Sequence, residues 1–207
     1  MKRRLPTGSI LLGPGQKKWL ELAATLIFAD ENGQSLVCPI KRTWAPKGQT
    51  PKIWTSIQHN RRVNNMAALL VTSGQRRIRL RTRSYQCSIT GEHVIAFLKC
   101  VLQYVRGPIV LVWDKHPIHR REKVQEFLAQ HPRIHTYEFP TSAPELNPVE
   151  FVWTQMEAYL ASSAPKNIQQ LAARIRTAFR RTRESPSRLW ACIYGSDLPW
   201  DRQQMRH

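Results

Sequence analysis

Ile109-Val-Leu-Val-Trp113, closed by Asp114, and Pro144-Glu-Leu-Asn-Pro-Val-Glu150, leading into Phe151-Val-Trp153, decide how this chain is read. An unbroken apolar run rich in β-branched residues, entered from Gly107-Pro108, is the pattern of a central strand covered on both faces. Asp114 falls where that strand leaves the sheet, and in open α/β sheets ligands bind at the C-terminal ends of strands. The second string opens a helix. A carboxylate therefore stands at each end of the stretch, on a strand end and on a helix start.

Working outward, a second run of the same kind lies upstream: Ala24-Thr-Leu-Ile-Phe-Ala29, finished by Asp30 with Glu31 beside it. If the two strands are neighbours, Asp30 and Asp114 meet, and Glu150 supplies a third acid. Clustered carboxylates repel one another, so one keeps a proton unless hard divalent ions relieve the repulsion. Three such acids suggest a two-metal site for in-line phosphodiester chemistry. Glu150 also has a purely structural reading. Asn147, Pro148, Val149 and Glu150 fit N-cap, N1, N2 and N3, so Glu150 could reach back to the Asn147 amide and complete a capping box.

Phe28-Ala-Asp-Glu31, Val112-Trp-Asp114 with His119 five residues on, and Ser142-Ala-Pro-Glu-Leu-Asn-Pro-Val-Glu150-Phe-Val-Trp153 together resemble the catalytic domain of bacterial transposases of the insertion sequence 630 family, in the mariner-like group. Between Asp114 and Glu150 lie 35 residues, the family's usual gap. The likeness runs over roughly residues 20–179 and departs at Lys115, where many relatives carry Asn. It implies a ribonuclease H-like fold. It also implies metal ligation and catalysis by Asp30, Asp114 and Glu150, two Mg²⁺ or Mn²⁺ ions, and cleavage of element ends followed by strand transfer into target DNA. A homodimer on DNA and TA target sites are implied as well. Complete relatives carry helix-turn-helix modules before the first Asp. An upstream helix-turn-helix polypeptide is thus an expected partner, and this chain alone is expected to bind DNA with little sequence preference. Glu31, His119 and Asn147 are candidates for the surrounding shell. For His119 a hydrogen-bonded packing role competes. Asp114, His116 and His119 also spell a possible zinc cluster, although Pro117 between the histidines disturbs regular spacing.

Composition agrees with a DNA partner without proving one. With 32 basic and 14 acidic residues the net charge is +18, which favours a polyanion and salt-dependent binding, though ribosomal and membrane-surface proteins share the trait. The length suits one domain of ordinary size: a basic lead-in over 1–19, a catalytic domain over 20–183 and a tail over 184–207. Cys38, Cys87, Cys100 and Cys192 are too scattered for a local thiolate zinc site. No apolar run approaches the ~18 residues of a membrane span, and Ile10-Leu-Leu12 is too short for a signal peptide. A cytoplasmic, nucleoid-associated protein is expected.

Between these landmarks the pattern predicts a short helix over 16–22, a turn at Gly33 and a returning strand over 35–40, then strands over 52–58, 66–72 and 76–83. In the last, Arg77, Arg79, Arg81 and Arg83 share one face and Ile78, Leu80 and Thr82 the other. Such a face could line DNA, or guard a sheet edge against aggregation. Trp44 and Lys47, in a Pro- and Gly-rich segment that resembles a family stretch, are DNA-binding candidates or a hairpin tip. From Thr90 the period becomes helical up to Gly107, giving a crossover to the Asp114 strand. A short helix within 117–130 and a strand over 133–139 follow. The helix over 166–183 buries Ile168, Leu171, Ile175 and Phe179, with Arg174, Arg176, Arg180, Arg181 and Arg183 elsewhere, to contact phosphate or merely solvate the helix. The tail shows no pattern. Strands first, then alternating helix and strand, predict an α/β (α+β) domain with a mixed central sheet flanked by helices. A DNA transposase catalytic domain is the favoured reading. An inactive nucleic-acid-binding remnant and a general ribonuclease H-like nuclease are the rivals.

Overall fold

The computed structural model describes residues 24–37, 45–49, 52, 61–72, 77–161 and 163–198. Five strands, β1 (Thr25–Ser35), β2 (Arg62–Thr72), β3 (Ile78–Tyr85), β4 (Ile109–Trp113) and β5 (Ile134–Glu138), form one sheet in the order β3-β2-β1-β4-β5. β1 pairs antiparallel with β2 and parallel with β4, so the sheet is mixed as expected. Five helices cover it: α1 (Gly91–Leu102), α2 (Glu122–Ala129), α3 (Pro148–Leu160), α4 (Ile168–Arg183) and α5 (Pro186–Gly195), with 3₁₀ turns at Pro117–Arg120 and Pro144–Leu146.

Strand periodicity divides the core in two. Leu26 and Phe28 of β1, with Leu69, Leu80, Val110 and Val112, pack under α3, α4 and α5. Ile27 and Ala29, with Leu70, Ile109 and Leu111, pack under α1 and α2. All five side chains of β4 are buried, as a continuous apolar run in a two-sided sheet requires.

Several boundaries differ from expectation, each for a local reason. Gly33 does not turn the chain. It lies inside β1 opposite Asn64, where an added Cβ would come within 2.9 Å of the Asn64 Oδ1, so glycine here serves close approach rather than a bend. β1 therefore runs to Ser35, residues 36–37 form a bend, and β2 pairs antiparallel along β1; residues 38–40 of the expected 35–40 strand lie outside the described residues. α1 stops at Leu102, before Gly107, whose φ of +85° instead serves the turn into β4. The tail is not featureless. Ser185 caps α5 through its hydroxyl, and Leu189, Cys192 and Ile193 are buried in the core beneath α3 and α4. The lead-in 1–19, the helix over 16–22, the turn at 73–75, Trp44, Cys38 and all of the 52–58 strand but residue 52 lie outside the described residues. Among the described residues no helix is long and apolar enough to cross a membrane.

Candidate active site

The parallel pairing of β1 with β4 ends at Phe28↔Val112. Continuing that register by two residues sets Asp30 beside Asp114 on adjacent strands, about 5 Å apart between backbones. α3 contributes the third acid from the same side. Asn147 caps it, its Oδ1 accepting from the Val149 N–H at 3.1 Å, and Pro148 occupies the first turn, where its missing N–H costs nothing. The Asn147 N–H donates to the Pro144 carbonyl at 3.0 Å, so the amide that a capping box would offer to Glu150 is already engaged. Glu150 stands half-buried three residues past that cap, within electrostatic reach of both Asp30 and Asp114.

Asp30 is held firmly. Its Oδ2 accepts from Asn147 Nδ2 at 3.0 Å and from Trp153 Nε1 at 2.9 Å, and its Oδ1 accepts from the Glu31 N–H at 2.9 Å. Burial pushes its pKa up to about 7. The Trp153 hydrogen bond opposes that shift, and the charges of Glu150 and Glu31 add to it. Burial likewise raises Glu150, with repulsion from Glu157 and Asp114 behind it. Both are the signature of acids crowded together without a counter-charge.

On the other side of Asp114 stands a second group. His119, almost fully buried, faces Asp114 Oδ1 with Nδ1 at 3.3 Å and Glu31 Oε1 with Nε2 at 3.3 Å, and its ring stacks on Trp113 at 4.1 Å between centroids. Burial works against a charge on His119, but the Glu31 hydrogen bond and the nearby carboxylates outweigh it and raise its pKa. Ligand atoms of Glu31, Asp114 and His119 lie within 4.8 Å of one another. The zinc cluster suggested by spacing is thereby rearranged: His116 is spent on capping the 3₁₀ turn, its Nδ1 accepting from the Ile118 N–H, and Glu31 stands in its place. Lys115, at the family's Asn position, points its Nζ to Thr141 Oγ1 at 3.3 Å.

Of the shell candidates, Asn147 touches Asp30, and Glu31 and His119 brace one another beside Asp114. Trp153, which its sequence context beside an apolar run marks only as core packing, is the residue missed. The available signal was that Glu150 and Trp153 are three apart on a helix and share a face, and that a buried indole N–H needs an acceptor. The basic candidates scatter. Lys47, Arg77, Arg79, Arg174 and Arg180 are exposed, Arg81 stacks 3.7 Å from the Tyr104 ring centroid, and Arg181 lies over Tyr159.

A mixed sheet in this order with helices on both faces is a ribonuclease H-like fold, and Asp30, Asp114 and Glu150 are its candidate acids. The sequence model of the DDE superfamily endonuclease family matches residues 25–172, and the chain belongs to that family. No curated protein matches it in sequence. Among solved structures it is similar in fold to the Mos1 mariner paired-end complex with Mn (TM-score 0.61, 16% identity, 87% of this chain and 54% of that one). It is similar also to the Mos1 transposase paired-end complex with left transposon end (TM-score 0.59, 14% identity, 87% and 54%). The Mos1 strand transfer complex follows (TM-score 0.53, 15% identity, 90% and 59%). The chain thus spans little more than half the length of the transposases it matches.

Proposed function

We propose that this chain is the catalytic part of a DNA transposase of the insertion sequence 630 type, with Asp30, Asp114 and Glu150 as its metal-ligating acids. The observation that carries this reading is that Glu150 stands within electrostatic reach of Asp114 and of Asp30, whose pKa burial and its acidic neighbours raise to about 7. Oxygen donors of this kind fit hard divalent cations and would be relieved of their repulsion by them. Two bound Mg²⁺ or Mn²⁺ ions would supply activation of an attacking hydroxyl and stabilisation of the departing oxygen.

The chain's own residues do the positioning. Asn147 and Trp153 occupy Asp30 Oδ2 and fix the carboxyl plane. His119 steadies Asp114 from behind, its Nδ1 also lying 3.1 Å from the Asp114 carbonyl oxygen. The N-terminus of α3 brings Glu150 to the site and favours nearby phosphate. DNA, a second copy of this chain on that DNA and a helix-turn-helix polypeptide that reads element ends are the partners this reading requires, with the nucleoid as the place of work. Lys47, Arg77, Arg79, Arg174 and Arg180 are the exposed cations available for backbone contact.

Purified protein should nick supercoiled plasmid only with Mg²⁺ or Mn²⁺. Asp114→Ala and Glu150→Gln should each lower the rate by more than about 100-fold, since even residues outside the ligand shell cost 10–100-fold. Equal nicking by wild type and Asp114→Ala would remove the catalytic reading and leave a nucleic-acid-binding remnant. Nicking without strand transfer from pre-cut ends would point to a general nuclease.

A further inference from the structure

We propose that the cleft between β3 and α4 is a track for the sugar–phosphate backbone of the DNA strand that leaves the candidate active site. The inference rests on the reading above and adds to it a surface at the far edge of the sheet. The register ties the two places together. Asp30 lies opposite Ala67, and Ala67 opposite Thr82, so catalytic acid and cleft floor share one cross-strand row on one face of the sheet. Two strand spacings separate them, about 10 Å. A separation of this size puts the cleft within a few nucleotides of the scissile position.

The rows on this face change character at Asp30. The preceding row is Phe28, Leu69 and Leu80, fully buried and apolar. The following row is Asn32, Asn65 and Ser84, wholly polar. Ser84 Oγ donates to Asn65 Oδ1 at 2.7 Å, Asn65 is fully buried, and the buried Asn32 Oδ1 has no partner. Of this row Asn65 alone is fully buried, Asn32 is half-buried and Ser84 is exposed, and leaving the Asn32 Oδ1 buried without a partner costs free energy that an apolar residue would avoid. The three form a polar path from the acids to the cleft.

The cleft itself encloses about 720 Å³, with Thr82 and Ser84 on the sheet side, Arg176, Thr177, Arg180 and Arg183 on the helix side, and one carboxylate, Glu184, among three arginines in its lining. Arg183 builds the wall, donating to the Leu80 carbonyl at 3.2 Å and to Thr82 Oγ1 at 2.9 Å. Arg176 and Arg180, one helical turn apart, are exposed, and among the described residues no carboxylate lies within 4.0 Å of either. Unpaired guanidiniums beside hydroxyl donors are the chemistry that holds phosphate.

The test uses the full chain and a duplex oligonucleotide, with affinity followed against KCl concentration. Arg176→Ala with Arg180→Ala should lower the slope of log affinity against log salt by about 1.8, at ~0.9 per phosphate contact. Lys99→Ala with Arg106→Ala, an equal loss of charge from α1 and the loop after it, should change the slope by much less. Uncharged methylphosphonate linkages placed within a few nucleotides of a pre-cut end should weaken binding to wild type and leave the Arg176/Arg180 variant unaffected. Equal slopes for the two variant pairs, or the same methylphosphonate penalty in wild type and the cleft variant, overturn the proposal. The catalytic reading fails separately, through Asp114→Ala nicking as wild type does. The slopes measure binding and stand apart from that result.

Discussion

Asp30 concentrates the chemical strain of the molecule. A carboxyl raised from its ordinary range to about 7 binds its proton more tightly in the folded than in the unfolded chain. Protonation of Asp30 therefore supports the fold at low pH, and this support is lost as pH climbs from about 4 through about 7. Divalent cations, which favour the ionised form, should offset the loss. The gain in melting temperature from Mg²⁺ or Mn²⁺ should accordingly grow between pH 5.5 and pH 8, and a pH-independent gain would take Asp30 out of the ligand set. Trp153→Phe keeps the aromatic packing and deletes only the N–H that reaches Asp30 Oδ2. A hydrogen bond to a charged group is worth about 1.5–3 kcal/mol. Nicking should drop roughly 10- to 100-fold and need more metal for half-maximal rate, while the folded baseline in circular dichroism stays unchanged. A rate equal to wild type at every metal concentration would reduce Trp153 to packing. At this scale the candidacy of Asp30, Asp114 and Glu150 was legible because each ends or begins an element with a strong apolar pattern. The service of Trp153 was not, because an indole beside an apolar run reads as core whether or not its N–H is used.

At the scale of elements, legibility followed pattern strength. β4 is five buried residues in a row, and α4 repeats its apolar positions over four turns, so both stood out. Gly33 misled because a glycine after an acidic pair reads as a turn, whereas the close approach of Asn64 that requires it belongs to the partner strand. α5 was invisible because it is short, and because its burial comes from α3, α4 and β3 rather than from any periodicity a ten-residue window can display. Its C-terminal residue gives a sharp test. A Cβ at Gly195 would fall 2.6 Å from the Phe151 ring of α3, so Gly195→Ala should cost about 1–3 kcal/mol by overpacking. Chemical denaturation would measure it, and an unchanged midpoint would mean that α5 does not press on α3 in solution.

On the scale of the whole molecule, the mixed sheet was predictable from the order of strands and helices, but its partition was not. The acids gather on the α3 side of β1 and β4, the Glu31–His119 pair lies on the other, and Asp114 faces both. The +18 charge is likewise not spread as a uniform coat. On α4, Arg176, Arg180 and Arg183 line the cleft against β3, while Arg181 turns away over Tyr159.

The partners of Asp30 arrive late. Asn147 and Trp153 lie 117 and 123 residues further along the chain. During synthesis the meander of β1, β2 and β3 can emerge from the ribosome and pair long before either exists. An unfinished polypeptide thus carries the first acid but neither of the donors that orient it nor the glutamate that follows. The hydrogen-bonded setting of Asp30 is therefore complete only once the chain has been made past Trp153.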